Sequence, residues 1–235
     1  MKLPISQRLL ACCQFIQPGQ RVADIGTDHG YLSIYLLRNC IASSVIAADV
    51  APQPLENAQR NARKYGVSQA MTCCLSDGAR QIPRDFDVMV CAGMGADTIC
   101  HILETAPWLE DPRYRLILQC QSRRPELRAW LARRGYRILR ETLAQDGRFL
   151  YPVMEVTYAP GMILTPAQCH LSPALLESGS PLLPAFYRRV VDGLRRTVEG
   201  LRTADNSTQS HKLTDFEAVL SELTALEEHI YGNCS

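Results

Sequence analysis

The chain has 235 residues, 46% of them hydrophobic, and a net charge of +1. That length allows one large domain, or a domain plus an appendage, with ample apolar material for a core. The overall charge says nothing about partners; its distribution along the chain says more. No apolar run approaches the roughly 18 residues a membrane span needs, and Met1-Lys2-Leu3-Pro4 opens no signal peptide. A cytoplasmic protein with no membrane partner is therefore expected. The ten cysteines include the adjacent pairs Cys12-Cys13 and Cys73-Cys74 but no Cys-x-x-Cys. They read as reduced, buried small residues, and neither a zinc site nor any other metal site is expected.

In chain order, residues 5–16 read as a short amphipathic helix capped by Ser6, with Leu9, Leu10, Cys13 and Ile16 at helical spacing. Pro18-Gly19 ends it. A strand over 21–25 leads to a helix over about 30–39, and Ser44 to Asp49 form a second strand. Pro52 and Pro54 start a helix that stops at Gly66. A third strand lies around 69–75 and is followed by Ser76-Asp77-Gly78. Phe86 to Cys91 form the fourth, with Gly93-Met94-Gly95 turning into another helix. Leu116 to Gln119 are the fifth strand, and 124–134 the helix after it. Tyr136–Thr142 and Phe149–Tyr158 flank the turn dipeptide Asp146-Gly147 and read as a closing antiparallel pair. Strands alternating with helices predict an α/β fold with a parallel, doubly wound sheet over residues 1–160.

The Pro/Ser-rich stretch after Pro160-Gly161 marks a boundary, so that 161–235 form a linker and a helical appendage. There Leu183, Phe186, Val190, Leu194, Thr197 and Leu201 step by three and four, as do Phe216, Val219, Leu223, Leu226 and Ile230. With a polar link from Thr203 to His211, this pattern predicts an antiparallel, coiled-coil-like hairpin. Its first helix carries Arg188, Arg189, Arg195, Arg196 and Arg202, its second mostly acids. These charges either pair across the hairpin or face a polyanion.

Asp24-Ile25-Gly26-Thr27-Asp28-His29-Gly30 is the densest signal: a buried strand ending on an acid, then a glycine bend opening a helix. The exposed N–H groups of such a bend suit a nucleotide-type ligand. No Gly-Lys-Ser/Thr follows, which excludes a P-loop. Asp28 and Tyr31 stand where a dinucleotide fingerprint needs glycine. Asp-x-Gly after the first strand instead resembles motif I of class I S-adenosylmethionine (SAM) methyltransferases, which also close their sheets with an antiparallel pair. On that resemblance Asp24, Gly26, Thr27 and Asp28 lie at the methionine part of SAM. Asp49, 25 residues beyond Asp24, would accept the two ribose hydroxyls, and Asp77 with Gly78 the adenine amino group. Ala92-Gly93-Met94 would complete the cofactor edge, and they lack the Asn/Asp-Pro-Pro-aromatic clamp usual in enzymes that methylate exocyclic amines.

Between Arg113 and Arg148 there are ten arginines and three acids (Glu126, Glu141, Asp146), so 10 − 3 gives a local +7. Arg123, Arg124, Arg128, Arg133 and Arg134 sit on or beside the fifth helix. With Arg188, Arg189 and Arg195 of the hairpin, this pattern suits phosphate-backbone contacts.

Arg21 to Leu32, Ala92-Gly93-Met94-Gly95, Leu116 to Gln119 and Ile5-Ser6-Gln7-Arg8-Leu9 together resemble the bacterial tRNA (adenine-N1)-methyltransferases that modify nucleotide 22 in the D arm, the TrmK family. The resemblance runs over essentially the whole chain, hairpin included. Asp49 stands where Glu is usual, Ser33 replaces a Pro, and Cys120-Gln121 replaces Pro-Asn, which leaves the acceptor contacts of that loop open. The resemblance implies SAM as cofactor, tRNA as partner and Arg8 among the RNA contacts; a monomer or weak dimer is expected. It implies Asp28 and His29 as the catalytic pair, Asp28 stabilising the cationic product and His29 shaping the pocket or relaying a proton. Two other readings stay open: a small-molecule or protein methyltransferase whose hairpin dimerises, and a non-catalytic SAM-fold module.

Overall fold

A computed structural model describes residues 3–203 and 210–232. It divides into two compact units, Met1–Met162 and Ile163–Ser235.

The first unit is a seven-stranded sheet. Its strands are β1 (Gln20–Ile25), β2 (Ala42–Asp49), β3 (Met71–Leu75), β4 (Val88–Met94), β5 (Arg115–Cys120), β6 (Tyr136–Asp146) and β7 (Phe149–Tyr158), in the spatial order β3-β2-β1-β4-β5-β7-β6. β1 to β5 are parallel, and β7 runs antiparallel to both β5 and β6. The order reverses between β1 and β4, the switch point where open α/β sheets bind ligands. The central strands are apolar on both faces because helices cover both. On one face α1 (Gln7–Cys13) and α2 (Tyr31–Arg38) bury a cluster that includes Val22, Leu36, Val45, Val90, Ile117 and Val153. α3 (Pro52–Lys64) contributes Ala58 and Ala62 to a smaller cluster with Ile34, Ala47 and Met71. α4 (Ala96–Glu104) packs on β4 and β5, and α5 (Arg124–Arg133) on β6 and α4.

Several boundaries differ from the sequence expectation. α1 is shorter than 5–16: Ser6 occupies the N-cap position, but its hydroxyl makes no capping bond and has no partner among the described residues. Phe15 and Ile16 leave the helix yet stay buried. β4 runs on to Met94, because Gly93 at φ +82° absorbs an irregularity in its pairing with β5. The turn into α4 is therefore Gly95 alone. Among the described residues the cysteines are free, but Cys40 is exposed and Cys73, Cys74 and Cys100 are only half-buried.

In the second unit, α6 (Pro166–His170) and α7 (Pro173–Leu176) precede α8 (Leu183–Thr203), α9 (Ser210–Thr224) and α10 (Glu227–Gly232). Thr165 caps α6 through a reciprocal bond with Gln168. The buried stripe of α8 is Leu183, Phe186, Tyr187, Val191, Leu194 and Val198. It passes through Val191 and Val198 where the sequence spacing pointed to Val190 and Thr197, which are half-buried and exposed. Tyr187 joins this stripe, and its hydroxyl donates to the carbonyl of Leu223 (3.2 Å). Arg202 pairs with Glu217 across the helices (2.7 Å), whereas Arg195 pairs with Asp192 on its own helix. The polar link expected from Thr203 to His211 lies largely outside the described residues.

Candidate active site

The bend after β1 is braced from below by Asp24. This carboxylate is 4% exposed, and one of its oxygens accepts from the hydroxyls of Thr27 (2.9 Å) and Ser33 (2.6 Å). Burial pushes the Asp24 carboxyl above the usual carboxylate range, and the two hydroxyl donors partly offset that push. From the side, the N–H groups of Gly26 and Thr27 both donate to the Ala48 carbonyl on β2 (2.8 and 3.0 Å). Gly26 is favoured by its φ of +72°, and a Cβ there would push against the mobile end of the Met94 side chain. Gly30 also has a positive φ, and its bare Cα lets α3 approach at Ala58.

Asp28 and His29 stand exposed at the tip of this bend, with Asp28 at φ +52°. The His29 Nε2 lies 3.6 Å from the Asp28 carboxylate, and its ring stacks on Tyr31. The Asn61 amide donates to the His29 carbonyl (2.9 Å), tying the tip to α3. At the end of β2, one Asp49 oxygen accepts from the Ala51 N–H (3.1 Å) and the other lies 3.4 Å from the Asp28 N–H. Asp49 thus joins the first loop to the second and keeps lone pairs free for a ligand. Beside it, Val50 and Leu75 are exposed apolar side chains. Asp77 pairs locally with Arg80 (3.2 Å), and Gly78 faces α4, where a Cβ would meet Ile102 at 2.8 Å.

The fourth loop contains a residue the sequence reasoning passed over. Gln119 is fully buried at the end of β5, and its Oε1 accepts from the Gly93 N–H and from Arg8 Nη1 (3.0 Å each). A Cβ on Gly93 would lie 2.9 Å from that guanidinium, so Arg8 sits directly over Gly93. The available signal was a single amide closing an otherwise apolar strand. Gln121 and Ser122, in the loop that departs from Pro-Asn, fasten the β4 and β5 ends together through backbone bonds to Met94 and Ala96.

The basic segment is corrected in part. Arg128 is fully buried and paired with Glu141, so it cannot meet a phosphate. Arg124 is half-buried and donates to the Leu150 carbonyl (3.4 Å). Arg123 grips both oxygens of Asp97 (2.8 Å each), and Arg134 pairs with Glu110. The local +7 is partly offset by Asp97, Glu110, Asp111 and Glu155, which pair with Arg123, Arg134, Arg113 and Arg140 from outside the stretch. Arg133 is exposed, as are Arg188, Arg189 and Arg195 of the second unit.

Residues 5–154, more than half of the chain, match a family model described as a methyltransferase domain. The chain belongs to this methyltransferase family. Its strand order and closing antiparallel pair are those of the class I methyltransferase fold. It is 32% identical over 154 residues to the tRNA (adenine(22)-N(1))-methyltransferase of Bacillus subtilis, a match covering 65% of this chain and 65% of that relative's length. Over 96% of this chain and 100% of the other, it superposes on the crystal structure of the B. subtilis M1A22 tRNA methyltransferase TrmK with a TM-score of 0.84 and 26% identity. A Streptococcus pneumoniae protein solved in complex with S-adenosyl-L-methionine matches at a TM-score of 0.78 and 27% identity, over 92% of this chain and 99% of that one. Among the described residues of this methyltransferase, no His/Cys/Asp/Glu group could hold a metal ion, and no helix is long and apolar enough to cross a membrane.

Proposed function

We propose that this chain is a cytoplasmic, SAM-dependent tRNA (adenine-N1)-methyltransferase acting on nucleotide 22 of the D arm. The observation that carries the reading is the loop pair Gly26–Gly30 and Asp49, interlocked through the Asp28 N–H, with Asp28 and His29 presented at its tip. The activity named for the B. subtilis relative supports the same substrate.

The residues present fit SAM. Gly26 is exposed at the bend that would face the methionine part, Asp49 has acceptor capacity for the ribose hydroxyls, and Asp77 suits the adenine amino group through the oxygen not held by Arg80. Val50 and Leu75 offer apolar surface to the ring. When bound, SAM supplies an electrophilic methyl group on a sulfonium. Adenine N1 carries an in-plane lone pair, so the acceptor needs no prior deprotonation. That accords with a Gly93-Met94 edge that carries no carboxamide clamp. N1 lies on the pairing edge of the base, so the target must be unpaired or swung out. The chain's main contribution is alignment, up to roughly 7–11 kcal/mol in well-oriented systems. Asp28 stabilises the cationic product base by charge, and His29, stacked on Tyr31, shapes the pocket beside it. Arg8 and Arg133 of the first unit, with Arg188, Arg189 and Arg195 of the second, hold the RNA backbone.

The test is transfer of label from methyl-labelled SAM to unmodified tRNA transcripts carrying A22 or G22. Incorporation restricted to the A22 transcript supports the reading; equal labelling of both, or none of either, refutes it.

A further inference from the structure

The tip of the β6–β7 hairpin has no role in the cofactor edge, yet it lies at the same end of the sheet. The register sets Leu116 opposite Val156 and Leu118 opposite Met154, which places Cys120, the last residue of β5, level with Pro152. Phe149 to Tyr151 therefore extend beyond the carboxyl end of β5, the end that holds Gln119 and the Gly95 turn.

Arginines lie over rings in the other aromatic groups of the unit too, and this tip differs from them in its exposure. Phe86, Trp108 and Tyr114 pack on one another, as do Trp130, Tyr136 and Tyr158. Phe149 is 51% exposed, with Tyr151 6.1 Å away and the Arg148 guanidinium 5.0 Å over its ring. Next to it, a cleft of about 530 Å³ runs between α1 and the hairpin. It is lined by the amides of Gln7, Gln14 and Gln145 and by the apolar Leu10 and Leu143. Gln7, which lines the cleft, precedes Arg8, whose guanidinium lies over Gly93, so α1 contributes to both the cleft and the reaction edge. An exposed ring, a cation beside it, and amides that both donate and accept form the set that proteins use for unstacked nucleotides. A peptide adding to the outer strand is disfavoured, because β6 is bulged between Ile138 and Arg140 and exposes Arg137 and Arg140 along that edge.

We infer that Phe149, with Arg148 and the amide-lined cleft against α1, is a stacking platform for a single-stranded nucleotide of the RNA substrate, next to the target adenine. The inference rests on the RNA-methyltransferase reading. Swinging out the target leaves its neighbour without a stacking partner, and Phe149 supplies one while Arg148 meets the phosphate.

The experiment uses the full chain and an end-labelled, unmodified tRNA transcript, with RNA affinity read by fluorescence anisotropy and SAM affinity by calorimetry. Phe149→Ala is expected to raise the RNA dissociation constant roughly ten-fold and leave SAM affinity unchanged, with Phe149→Tyr restoring RNA binding. Arg148→Ala is expected to lower the salt slope of RNA binding by about one. If wild type binds and methylates the transcript and Phe149→Ala binds it equally well, the platform is overturned alone. If wild type neither binds nor methylates it, the platform falls together with the proposed function.

Discussion

Asp24, Asp28 and Gln119 sit within one small region and do three different things. Asp28 is exposed at the tip of the bend, so its removal disturbs little packing. Asp28→Ala should lower kcat roughly 100-fold and change SAM affinity little; steady-state kinetics with calorimetry checks this, and an unchanged kcat removes Asp28 from the reaction. Asp24 is buried, and its proton affinity is higher in the folded chain than in the unfolded one. The folded state therefore holds more protons just above the ordinary carboxylate pKa, and stability from this group falls as pH rises through that window. Asp24→Asn should accordingly raise the thermal midpoint at neutral pH, and the gain should shrink as pH is lowered. Thermal melts at pH 4 and 7 test that sign. Asp24, Asp28 and Asp49 were legible as site candidates because acids at strand ends beside glycine stand out in one dimension. Gln119 was not, since its importance comes from Arg8 and Gly93, 111 and 26 residues away.

At the scale of elements, the alternation of apolar strands and capped helices sufficed to give every strand of the sheet and its closing hairpin. Interface phase was harder to read. The α8 stripe takes in Tyr187, Val191 and Val198 where the spacing pointed to Val190 and Thr197, because heptad-like spacing tolerates either neighbour and does not decide which one faces inward. Charge was hardest of all. The helix α5 looked like a basic face, yet Arg128 points inward onto Glu141. Arg128→Met should destabilise the first unit by about 3–5 kcal/mol, because it strands a buried carboxylate. Arg128→Met with Glu141→Leu should recover most of that stability in denaturant melts and keep tRNA affinity unchanged. A loss of tRNA affinity in the refolded double variant would return Arg128 to the RNA contacts.

For the whole molecule, a net charge of +1 conceals local excesses of arginine such as the one along α8. Arg188, Arg189 and Arg195 are exposed on α8. Replacing all three with alanine should raise KM for tRNA and reduce the salt slope by roughly two to three, with SAM affinity unaltered. An unchanged slope would assign those arginines to the helix surface alone. Under the proposed function, the bend after β1 and the carboxylates around it present a methyl donor to adenine N1 of a tRNA. The most direct measurement is primer extension across the D arm of a transcript treated with the enzyme and SAM. N1 methylation blocks pairing, so reverse transcriptase should stop at nucleotide 22 only in the complete reaction. Read-through at that position, or a methylated adenine that still pairs, would rule out the proposed function.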